Sequence, residues 1–552
     1  MFFRRKKSGG HAYLQIVENR WDKGKVRQRV IATLGRLDKL VDSDQLDRLL
    51  VSGSRFSEKL AVLWAHQKAE APVLRRVSIG PDLLFRRLWR DLGVDEVLEE
   101  VLADRGFEFP VERAVYLTVL HRLFVSGSDR RAEHWRRDFH IPGSEDLKLH
   151  HLYRTMAWLG SPLADDAQWG STGFSPRCEK DRIEEKLFAR RRDLFTPLQV
   201  VFFDTTSMYF EGEGGSELGR YGKSKDHRPD RKQLVAGAIL DGNGTPVCSE
   251  IWPGNTADVK TLLPLVDRLR ARFGVGEVCV VCDRGMISKK TIEELERRNM
   301  KYILGARMRA QSEVKRDVLG RGGSFEEVRG PREKAKDPSP LKVKEVFVSD
   351  RRYVLCLNEE QARKDAADRE AILAGLKDAL KHGSKSLVGN KGYRRFLKSS
   401  GSFVIDTAKV KAEARYDGKW VLRTNLDLPT KDVALRYKEL WMVEDTFRTM
   451  KSILDTRPIF HKCDETIRGH VFCSFLALAL QKELRQRLNA RGLGTVVEWD
   501  RLKRDLVALE EVEHDFNGKT FVVRTETVGD CGRALQAVGA AMPPTVRLKE
   551  TG

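Results

Sequence analysis

Residues 200–207 read VVFFDTTS and residues 278–285 read VCVVCDRG, so two apolar runs each end on a single aspartate, Asp204 and Asp283. Continuous β-branched and aromatic runs of this length are typical of central strands that are covered on both faces of a sheet. A carboxylate at the end of such a strand is costly, because burial favours its neutral form unless a cation is close. Two such carboxylates on neighbouring strands therefore indicate a bound divalent cation, and a third carboxylate would complete the site.

The segment that begins at Leu198 predicts the sheet around these aspartates. Three strands with short connections, LQVVFFD, KQLVAGAIL and TPVCSEIWPG, should run antiparallel, and helices then alternate with the strand of Asp283 and the strand YILGAR. Three antiparallel strands followed by alternating helices and strands are the mixed-sheet order of ribonuclease H-like α/β folds. Such a fold places the ends of its first and fourth strands side by side, so we expect Asp204 and Asp283 to meet.

The chain before this sheet divides into a basic part and a helical part. HAYLQIVENRW and KVRQRVIATLG predict a β-hairpin, and residues 1–40 contain eleven Lys and Arg against three acids. This charge favours phosphate contact and a solvated basic tail about equally. From Ile79 to about Leu194, apolar residues recur at spacings of three and four, which predicts a small all-helical domain. Its DRRAEHWRRDF segment surrounds Trp135 with arginines, which is typical of a phosphate-tracking surface or of an exposed helix face.

Residues 308–425 interrupt the predicted core. They mix charged stretches with short strands and a helix and do not continue the order of the first strands, which predicts a β-rich insertion domain. Helices resume in KDVALRYKELWMVEDTFRTMKSIL and IRGHVFCSFLALALQKELRQRL. The predicted domains are a basic N-terminal β-hairpin region at 1–75, a helical DNA-binding domain at 76–195, the first part of the ribonuclease H-like core at 196–307, the insertion domain at 308–425, the second part of the core at 426–490 and a C-terminal tail at 491–552.

The composition favours a nucleic-acid partner. The chain has 100 Lys and Arg against 80 Asp and Glu, a formal charge of +20, and such an excess suits a polyanion, nucleic acid before membrane. Its eight cysteines show no disulfide spacing, and Cys279 and Cys282 would point to opposite faces of a strand, so core packing is expected for both. The most apolar run, 471–480, is too short to span a bilayer. We therefore expect a cytoplasmic, nucleoid-associated protein without membrane contact.

The third carboxylate is predicted on a helix near the end of the core. In RYKELWMVEDTFRTMKS, Tyr437, Glu444, Arg448 and Lys451 follow one another at seven, four and three residues, which places them on one stripe of a continuous helix. Glu444 beside the two strand-end aspartates would complete a metal site, and the two cations would bind phosphate. The adjoining stripe would pack on the sheet through Leu440, Val443 and Phe447.

Together, FFDTTS, GNTADVKTL, VCDRGM, the strand-rich block and YKELWMVEDTFRTMKS resemble the DDE transposases of bacterial insertion sequences. The similarity is greatest to the branch whose signature is Tyr, two residues, Arg, three residues, Glu, six residues and Lys. Tyr437, Glu444 and Lys451 match that signature. Leu440 replaces its arginine, and Arg448, one turn past the glutamate, is a candidate to supply the missing contact.

The resemblance implies a ribonuclease H-like catalytic core in which Asp204, Asp283 and Glu444 are the catalytic and metal-binding triad. Similar enzymes hold two Mg²⁺ or Mn²⁺ ions about 3.5–4 Å apart. The implied reaction is cleavage at a transposon end, followed by attack of the freed 3′-hydroxyl on target DNA. The implied partners are double-stranded DNA, as transposon-end inverted repeats and as target, and a second copy of the chain in a homodimer on that DNA.

Further DNA contacts are expected around the triad. Tyr437 and Lys451 would position phosphates at the transposon end, and Arg284 would either orient the scissile phosphate or pair with a core carboxylate. Trp420 and Trp441 are candidates to stack on a flipped base, although each suits a core position equally well. In the loop GKSKDHRPDRKQ, DNA contact is preferred over a solvated loop for the cations Lys223, Lys225, Arg228 and Arg231.

Asp258 and three alternative functions complete the predictions. Asp258 lies at the start of a helix, where capping that helix is a better expectation than metal binding. An aspartate-based phosphatase would need a second acid two residues after Asp204, where the chain has Thr206. A ribonuclease H-like nuclease without strand transfer and a non-enzymatic DNA-binding relic of a transposase stay open, although the three acids argue against the relic.

Overall fold

The computed structural model describes residues 1–22, 25–54, 56–68, 73–125, 127–164, 168, 175–191, 200–273, 279–332, 337–381, 395–399, 403–452, 454–516 and 518–549. The chain divides into two compact units. The first comprises Met1–Leu84, Arg137–His140 and Thr495–Gly552, and the second comprises Phe85–Arg136 and Ile141–Gly494. All three acids of the predicted triad belong to the second unit.

Strands and helices are numbered here in chain order. The described strands are β1 (Phe2–Ser8), β2 (His11–Asp22), β3 (Lys25–Arg36), β4 (Val73–Ser78), β5 (Val200–Tyr209), β6 (Gln233–Leu240), β7 (Pro246–Pro253), β8 (Cys279–Cys282), β9 (Lys301–Gly305), β10 (Glu326–Arg329), β11 (Leu341–Val348), β12 (Arg351–Leu357), β13 (Leu397–Ser399), β14 (Phe403–Ile405), β15 (Lys419–Thr424), β16 (Glu510–Phe516), β17 (Lys519–Arg524) and β18 (Val546–Leu548). The described α-helices are α1 (Leu37–Asp42), α2 (Gln45–Ser54), α3 (Glu58–Gln67), α4 (Gly80–Asp91), α5 (Val94–Leu102), α6 (Val111–Phe124), α7 (Asp129–Trp135), α8 (Leu149–Leu159), α9 (Glu179–Arg191), α10 (Leu262–Phe273), α11 (Lys289–Arg297), α12 (Glu359–Lys381), α13 (Thr407–Ala414), α14 (Thr430–Lys438), α15 (Trp441–Ser452), α16 (Asp464–Ala490), α17 (Trp499–Val507) and α18 (Cys531–Val538).

The first unit contains two antiparallel sheets. The N-terminal sheet has the order β1-β2-β3, so the predicted hairpin is confirmed and the basic segment before it adds a third strand. The second sheet has the order β18-β17-β16-β4, in which β4 pairs with a strand more than 400 residues later. Val62, Phe521 and Val523 form a buried cluster between α3 and this second sheet.

A nine-stranded mixed sheet lies at the centre of the second unit. Its order is β10-β11-β12-β15-β9-β8-β5-β6-β7, and β5, β6 and β7 are antiparallel neighbours, as predicted. β8 pairs in parallel with both β5 and β9, and Phe203 is the register partner of Cys282. The predicted adjacency of the first and fourth strands is therefore confirmed.

The predicted insertion contributes four strands to this same sheet. β15 pairs with β9, and β12, β11 and β10 extend the sheet beyond it. The expectation that residues 308–425 do not continue the sheet is wrong, because the backbone groups on the open edge of β9 find their partners in β15. Leu422 faces Gly305 in this pairing, a contact between residues so distant in sequence that no local pattern marks it.

Residues 430–452 form two helices, whereas their spacing predicted one. α14 ends at Lys438 and α15 begins at Trp441, and amides in the connection bond to carbonyls three residues earlier at 3.0–3.1 Å. α14 packs against β8, β9, β11 and β12, whereas α15 packs against β5, β6 and α16. A single straight helix cannot follow both parts of a twisted sheet. Tyr437 therefore does not share a helical stripe with Glu444, and that prediction is wrong.

The helical character of the region before the sheet is confirmed by α4 to α9. Trp135 is half-buried against His121 and Phe124, with ring centres 5.5 and 6.3 Å away, so this ring packs inside the helical part. Arg130, Arg131 and Arg137 are exposed. Whether this region binds DNA stays a prediction.

A buried ion-pair network connects α9 with β7 and α10. At its centre, Asp181 accepts a hydrogen bond from Lys180 at 2.8 Å and lies 3.1 Å from Arg272 and 3.6 Å from Arg268. Burial by itself would raise the pKa of Asp181, but the charges of these three cations outweigh it and lower the pKa. The network as a whole contains Arg177, Lys180, Arg268, Arg272, Asp181, Glu184, Glu185 and Glu250.

Cys279 and Cys282 are buried in β8, as predicted, and burial raises the pKa of the Cys279 thiol to about 12. Among the helices of the described ranges, none combines the length and the apolar character that crossing a bilayer requires.

Candidate active site

Asp204 and Asp283 lie together at one end of the parallel strand pair. Their preceding residues, Phe203 and Cys282, are register partners, so the two carboxylates follow paired positions of β5 and β8. Asp204 is mostly buried, and burial is the main reason that its pKa is raised to about 6. The charge of Asp283 raises this pKa further. The register of β5 and β8 confirms the prediction that Asp204 and Asp283 lie side by side.

A third aspartate, Asp258, belongs to the same cluster. Its carboxylate accepts a hydrogen bond from Thr205 Oγ1 at 2.7 Å and lies 3.3 Å from Lys225 Nζ, and its charge also raises the pKa of Asp204. The prediction that Asp258 caps the next helix is wrong, because the 3₁₀ turn Asp258–Lys260 has Ala257 at its N-cap without a side-chain bond. The Asp258 carboxylate instead contacts the Thr205 hydroxyl and the Lys225 ammonium group.

Tyr437 binds the second aspartate. Its hydroxyl donates a hydrogen bond to Asp283 Oδ1 at 3.1 Å, and burial together with the charge of Asp283 raises the pKa of Tyr437. Gly305 on β9 makes room for this ring, because a Cβ there would lie 2.5 Å from Tyr437 Oη and 3.2 Å from Arg284 N. The Asp283 carboxylate is thus the partner of Tyr437 in this structure. The contact of Tyr437 with phosphate stays a prediction.

Glu444 is exposed on α15, the helix that packs on β5 and β6. Val443 and Phe447 on the same helix are buried, which confirms the apolar stripe. Arg448 is exposed and lies 3.6 Å from Asp445. Among the described residues, no three His, Cys, Asp or Glu side chains are grouped so that they could hold a metal ion. The role of Glu444 as the third ligand therefore stays a prediction.

Lys451 lies on the inner side of α15 and is paired. Its Nζ donates a hydrogen bond to Asp226 Oδ1 at 2.7 Å, and Arg457 lies 3.4 Å from the same oxygen. Asp226 is almost completely buried, and burial lowers the pKa of Lys451. Because two cations share one carboxylate, this pocket keeps a net positive charge.

Lys225 fixes the cationic loop that follows β5. Its Nζ donates to Thr205 O at 2.7 Å and to Thr205 Oγ1 at 2.9 Å, while its backbone amide donates to Ser207 Oγ at 2.7 Å. The Lys225 charge also lowers the pKa of Asp204 against the effect of burial. Lys225 is therefore a counter-charge within the acidic cluster.

The other loop cations differ from Lys225. Arg228 binds Asp230 at 2.8 and 2.9 Å, and Arg231 lies 3.0 Å from Glu211, so acids of the loop and of its base offset both charges. Lys223 is exposed. DNA contact by these side chains stays a prediction.

Arg284 and the two tryptophans differ in exposure. Arg284 is exposed directly after Asp283, and its guanidinium forms no salt bridge with a carboxylate of the described residues. Trp420 is half-buried in β15, with Lys438 Nζ 5.6 Å from its ring centre. Trp441 has 58% of its surface exposed at the start of α15, so of the two it is the one open to a stacking partner.

Two family models match the chain. One, described as the transposase DDE domain, matches residues 196–480, and the other, the N-terminal domain of the IS1634 family transposases, matches residues 3–68. Among solved structures, the chain is similar to piggyBac transposase in a cryo-EM structure of its synaptic complex with hairpin DNA, with 12% identity and a TM-score of 0.35 over 77% of this chain and 79% of that chain. That likeness is too distant to support an argument. No curated protein matches.

The fold and the site thus define a mixed α/β protein with an acidic cluster at the ends of parallel strands. Because the DDE model spans more than half of the 552 residues, the chain belongs to the transposase DDE domain family. The second match identifies the type of element, so the chain is an insertion-sequence DDE transposase, as its sequence motifs predicted.

Proposed function

We propose that the chain cuts the ends of its insertion sequence and joins the freed 3′-hydroxyl to target DNA, with Asp204, Asp283 and Glu444 as the catalytic acids. The observation that supports this proposal best is the excess of negative charge at the strand ends. Asp204 is mostly buried, Asp283 and Asp258 both raise its pKa, and Lys225 is the cation that opposes them. A site of this kind favours the binding of a cation.

The side chains at this site suit Mg²⁺ or Mn²⁺. Carboxylate oxygens are the ligands that these hard cations take, and a buried carboxylate with a raised pKa gains most from a cation beside it. We propose Asp204, Asp283 and Glu444 as the ligands of two such ions. When bound, two ions would supply an activated water and neutralise charge on the leaving oxygen.

The surrounding residues have separate tasks in this proposal. Tyr437 holds the Asp283 carboxylate through its hydroxyl, and Thr205 and Lys225 hold the Asp258 carboxylate. Basic side chains of the neighbouring loops and helices would bind phosphates and fix the register of the DNA without reading its sequence. These are Lys223, Arg228, Arg231, Arg284, Arg448 and Lys451, with Trp441 and Trp420 proposed to stack on a base.

The proposed fold and assembly follow from the same site. We assign β5 to β9 with α10 and α11 to a ribonuclease H-like core, because three antiparallel strands precede the parallel pair that positions both aspartates. The substrates would be double-stranded transposon-end repeats and target DNA. A homodimer is proposed because two ends must be cut and joined together, while the described part of each chain contributes one acidic cluster at the strand ends.

The test is a cleavage assay with purified protein, Mg²⁺ and labelled DNA that carries the ends of the element. Wild type should cut the end and produce joined products, whereas Asp204→Asn, Asp283→Asn and Glu444→Gln should do neither. Asp445→Asn is the matched control, because Asp445 follows Glu444 on the same helix and is not part of the proposed triad. Cleavage by all three variants would refute the proposal. Cutting without joining would favour the plain nuclease, and binding without cutting would favour the relic.

A further inference from the structure

Lys451 and Arg457 share one buried carboxylate. Lys451 Nζ donates a hydrogen bond to Asp226 Oδ1 at 2.7 Å, and Arg457 Nε lies 3.4 Å from the same oxygen. The Asp226 side chain keeps 3% of its surface exposed, whereas the side chains of Lys451 and Arg457 keep 12% and 28%. The charges of these three residues, called the cationic pocket below, sum to +1. The carboxylate is thus enclosed, and the two cations are the part of the pocket that a ligand can reach.

The bonds inside the cationic pocket leave donors for a ligand. An ammonium group has three donors, and Lys451 uses one of them on Asp226. Arg457 Nε is buried and donates a hydrogen bond to none of the described residues. Asp226 Oδ2 likewise bonds to no described residue, so the described contacts of this carboxylate are those to the two cations. Unpaired donors beside a net positive charge favour an anion with several acceptor oxygens.

Neighbouring side chains hold the cationic pocket in place. The Arg457 guanidinium lies 5.7 Å from the centre of the Tyr209 ring, and the Arg228 guanidinium lies 5.2 Å from the same centre. The Ser224 hydroxyl accepts hydrogen bonds from the amides of Asp226 and Arg228 at 3.2 and 3.1 Å, which fixes the backbone that carries the carboxylate. Groups that are held in this way lose less freedom when a ligand binds. The pocket is therefore preorganised.

The cationic pocket lies next to the acidic cluster. Lys225, the residue before Asp226, lies 3.3 Å from the Asp258 carboxylate. Consecutive Cα atoms are about 3.8 Å apart, so one loop carries a cation to the acids and a carboxylate to the cations. Burial lowers the pKa of Lys451, and the charges of Arg457 and Lys225 lower it further, so the three cations are near one another.

We infer that Lys451 and Arg457 together bind one phosphate of the DNA strand at the acidic cluster, and that Asp226 positions both cations. A phosphodiester carries one negative charge, which equals in size the net charge of the pocket. The planar guanidinium directs its donors, whereas the ammonium group acts as a point charge, so the pair fixes the orientation of the phosphate as well as its position. This inference rests on the proposed function and adds Arg457 as a binding residue and Asp226 as a positioning residue.

The first experiment measures binding of the full-length chain to a fluorescent duplex that carries the element's end, in EDTA so that cleavage plays no part. Arg457→Gln should bind about fivefold more weakly, and its slope of log affinity against log salt should be shallower by about 0.9, as for one lost phosphate contact. Arg457→Lys keeps the charge and should recover the slope. The matched control is Arg298→Gln, since Arg298 is also half-buried and pairs with Asp267 and Glu294.

The control should bind like wild type. Unchanged affinity and slope in Arg457→Gln, or an equal loss in the control, would overturn the inference. A slope in Arg457→Lys that stays as shallow as in Arg457→Gln would also count against it, because a phosphate contact depends on the charge.

The second experiment separates positioning from a purely structural role of Asp226. Asp226→Asn removes a negative charge from the pocket, so this variant should bind the duplex in EDTA at least as tightly as wild type. Its cleavage rate in Mg²⁺ at saturating DNA should nevertheless fall at least about tenfold, because Lys451 and Arg457 are no longer held in place. Asp417→Asn is the control, since Asp417 also binds an arginine, Arg369, and it should change neither quantity.

A purely structural role would weaken binding and cleavage together. Weaker binding by Asp226→Asn, or cleavage at the wild-type rate with saturating DNA, would therefore overturn the positioning role. Circular dichroism checks the fold of each variant. The Arg457 variants test the pocket even if Asp226→Asn does not fold, because the Arg457 side chain is partly exposed.

These outcomes can be separated from the catalytic proposal. Binding in EDTA needs neither metal nor cleavage, so the loss caused by Arg457→Gln should be the same when Asp204→Asn is also present. Wild type that shows the expected binding differences but cuts no DNA in Mg²⁺ would count against the catalytic proposal alone.

Discussion

Two carboxylate clusters of the second unit differ in how far neighbouring cations balance their charge. In the network of α9, β7 and α10, four carboxylates face four cations, and the pKa of Asp181 is lowered despite complete burial. At the ends of β5 and β8, Asp204, Asp283 and Asp258 face Lys225, and the pKa of Asp204 is raised to about 6. Burial raises the pKa of both aspartates, and the three cations beside Asp181 reverse that effect, whereas Lys225 beside Asp204 does not.

This difference separates a structural role from a functional one. A balanced network holds helices and sheet together, and every charge in it already has its partner. A cluster in which negative charge outweighs positive charge destabilises the protein by itself, and such a cost is typical of sites that bind a ligand of opposite charge. We therefore expect substitutions in the network to change folding and substitutions at the strand ends to change catalysis.

The largest expected effect is the loss of cleavage in Asp204→Asn. Asparagine keeps the shape of the side chain but cannot carry the charge that the proposed ions require, so the rate should fall at least about a thousandfold, or about 4 kcal/mol of barrier. The thermal midpoint without metal should not fall, because an unfavourable charge has been removed. Cleavage near the wild-type rate would show that the charge of Asp204 is not needed for catalysis.

Asp181→Asn should have the opposite outcome. The substitution leaves Arg272 and Lys180 buried with one carboxylate fewer, and breaking such a network costs about 3–5 kcal/mol of unfolding free energy. Urea denaturation would measure this loss, with the exposed Asp230→Asn as control, whose unfolding midpoint should stay close to that of wild type. Protein that remains folded should cleave DNA normally. An unchanged free energy of unfolding in Asp181→Asn would contradict the structural role of Asp181.

The pH dependence of stability should distinguish Asp204 from Asp181 without any activity assay. The folded-state pKa of Asp204 is raised from 3.8 to about 6, so between these values the native state holds the extra proton and its stability falls as pH rises. Above pH 6 the destabilisation caused by ionised Asp204 is complete and amounts to up to about 3 kcal/mol. Asp204→Asn should then be more stable than wild type by that amount. Below about pH 4 this difference should vanish.

The lowered pKa of Asp181 gives the opposite sign. Its contribution to stability is present above the unfolded-state pKa and is lost as pH falls toward the folded-state pKa. Denaturation of wild type, Asp204→Asn and Asp181→Asn at pH 4 and pH 7.5 without metal therefore tests both regions together. For each variant, the difference in unfolding free energy from wild type is compared between the two pH values. If this difference changes in the same direction for both variants, the charges of the two sites are not balanced differently.

The smallest expected effect concerns Tyr437. Tyr437→Phe removes the hydrogen bond to Asp283 and keeps the ring, so we expect about a tenfold loss of cleavage and a higher Mg²⁺ requirement, as for other residues that orient a metal ligand. Tyr221→Phe is the control, since Tyr221 is exposed. A loss of rate with an unchanged Mg²⁺ requirement would indicate that Tyr437 acts on DNA phosphate and not on Asp283.

Local patterns predicted much of the core and part of the site. Apolar runs and turn residues marked β5, β6, β7 and β8 correctly, and the adjacency of Asp204 and Asp283 followed from their order. Spacing alone failed where tertiary contacts override it. No glycine or proline separates Tyr437 from Glu444, so nothing local indicated that α14 and α15 cover different strands. Asp258 likewise looked like a helix cap until the fold placed Thr205 and Lys225 beside its carboxylate.

The amino-acid sequence by itself determined the class of this protein, because strand-end aspartates, a cationic loop and a helix with Glu444 are set by residue order and are recognisable without coordinates. The tertiary structure decided which charges are balanced. Whether a buried carboxylate stabilises the fold or waits for a cation depends on partners such as Arg272 or Lys225, which come from distant segments. Electrostatic energy depends on distances in space, and residue order alone does not give those distances.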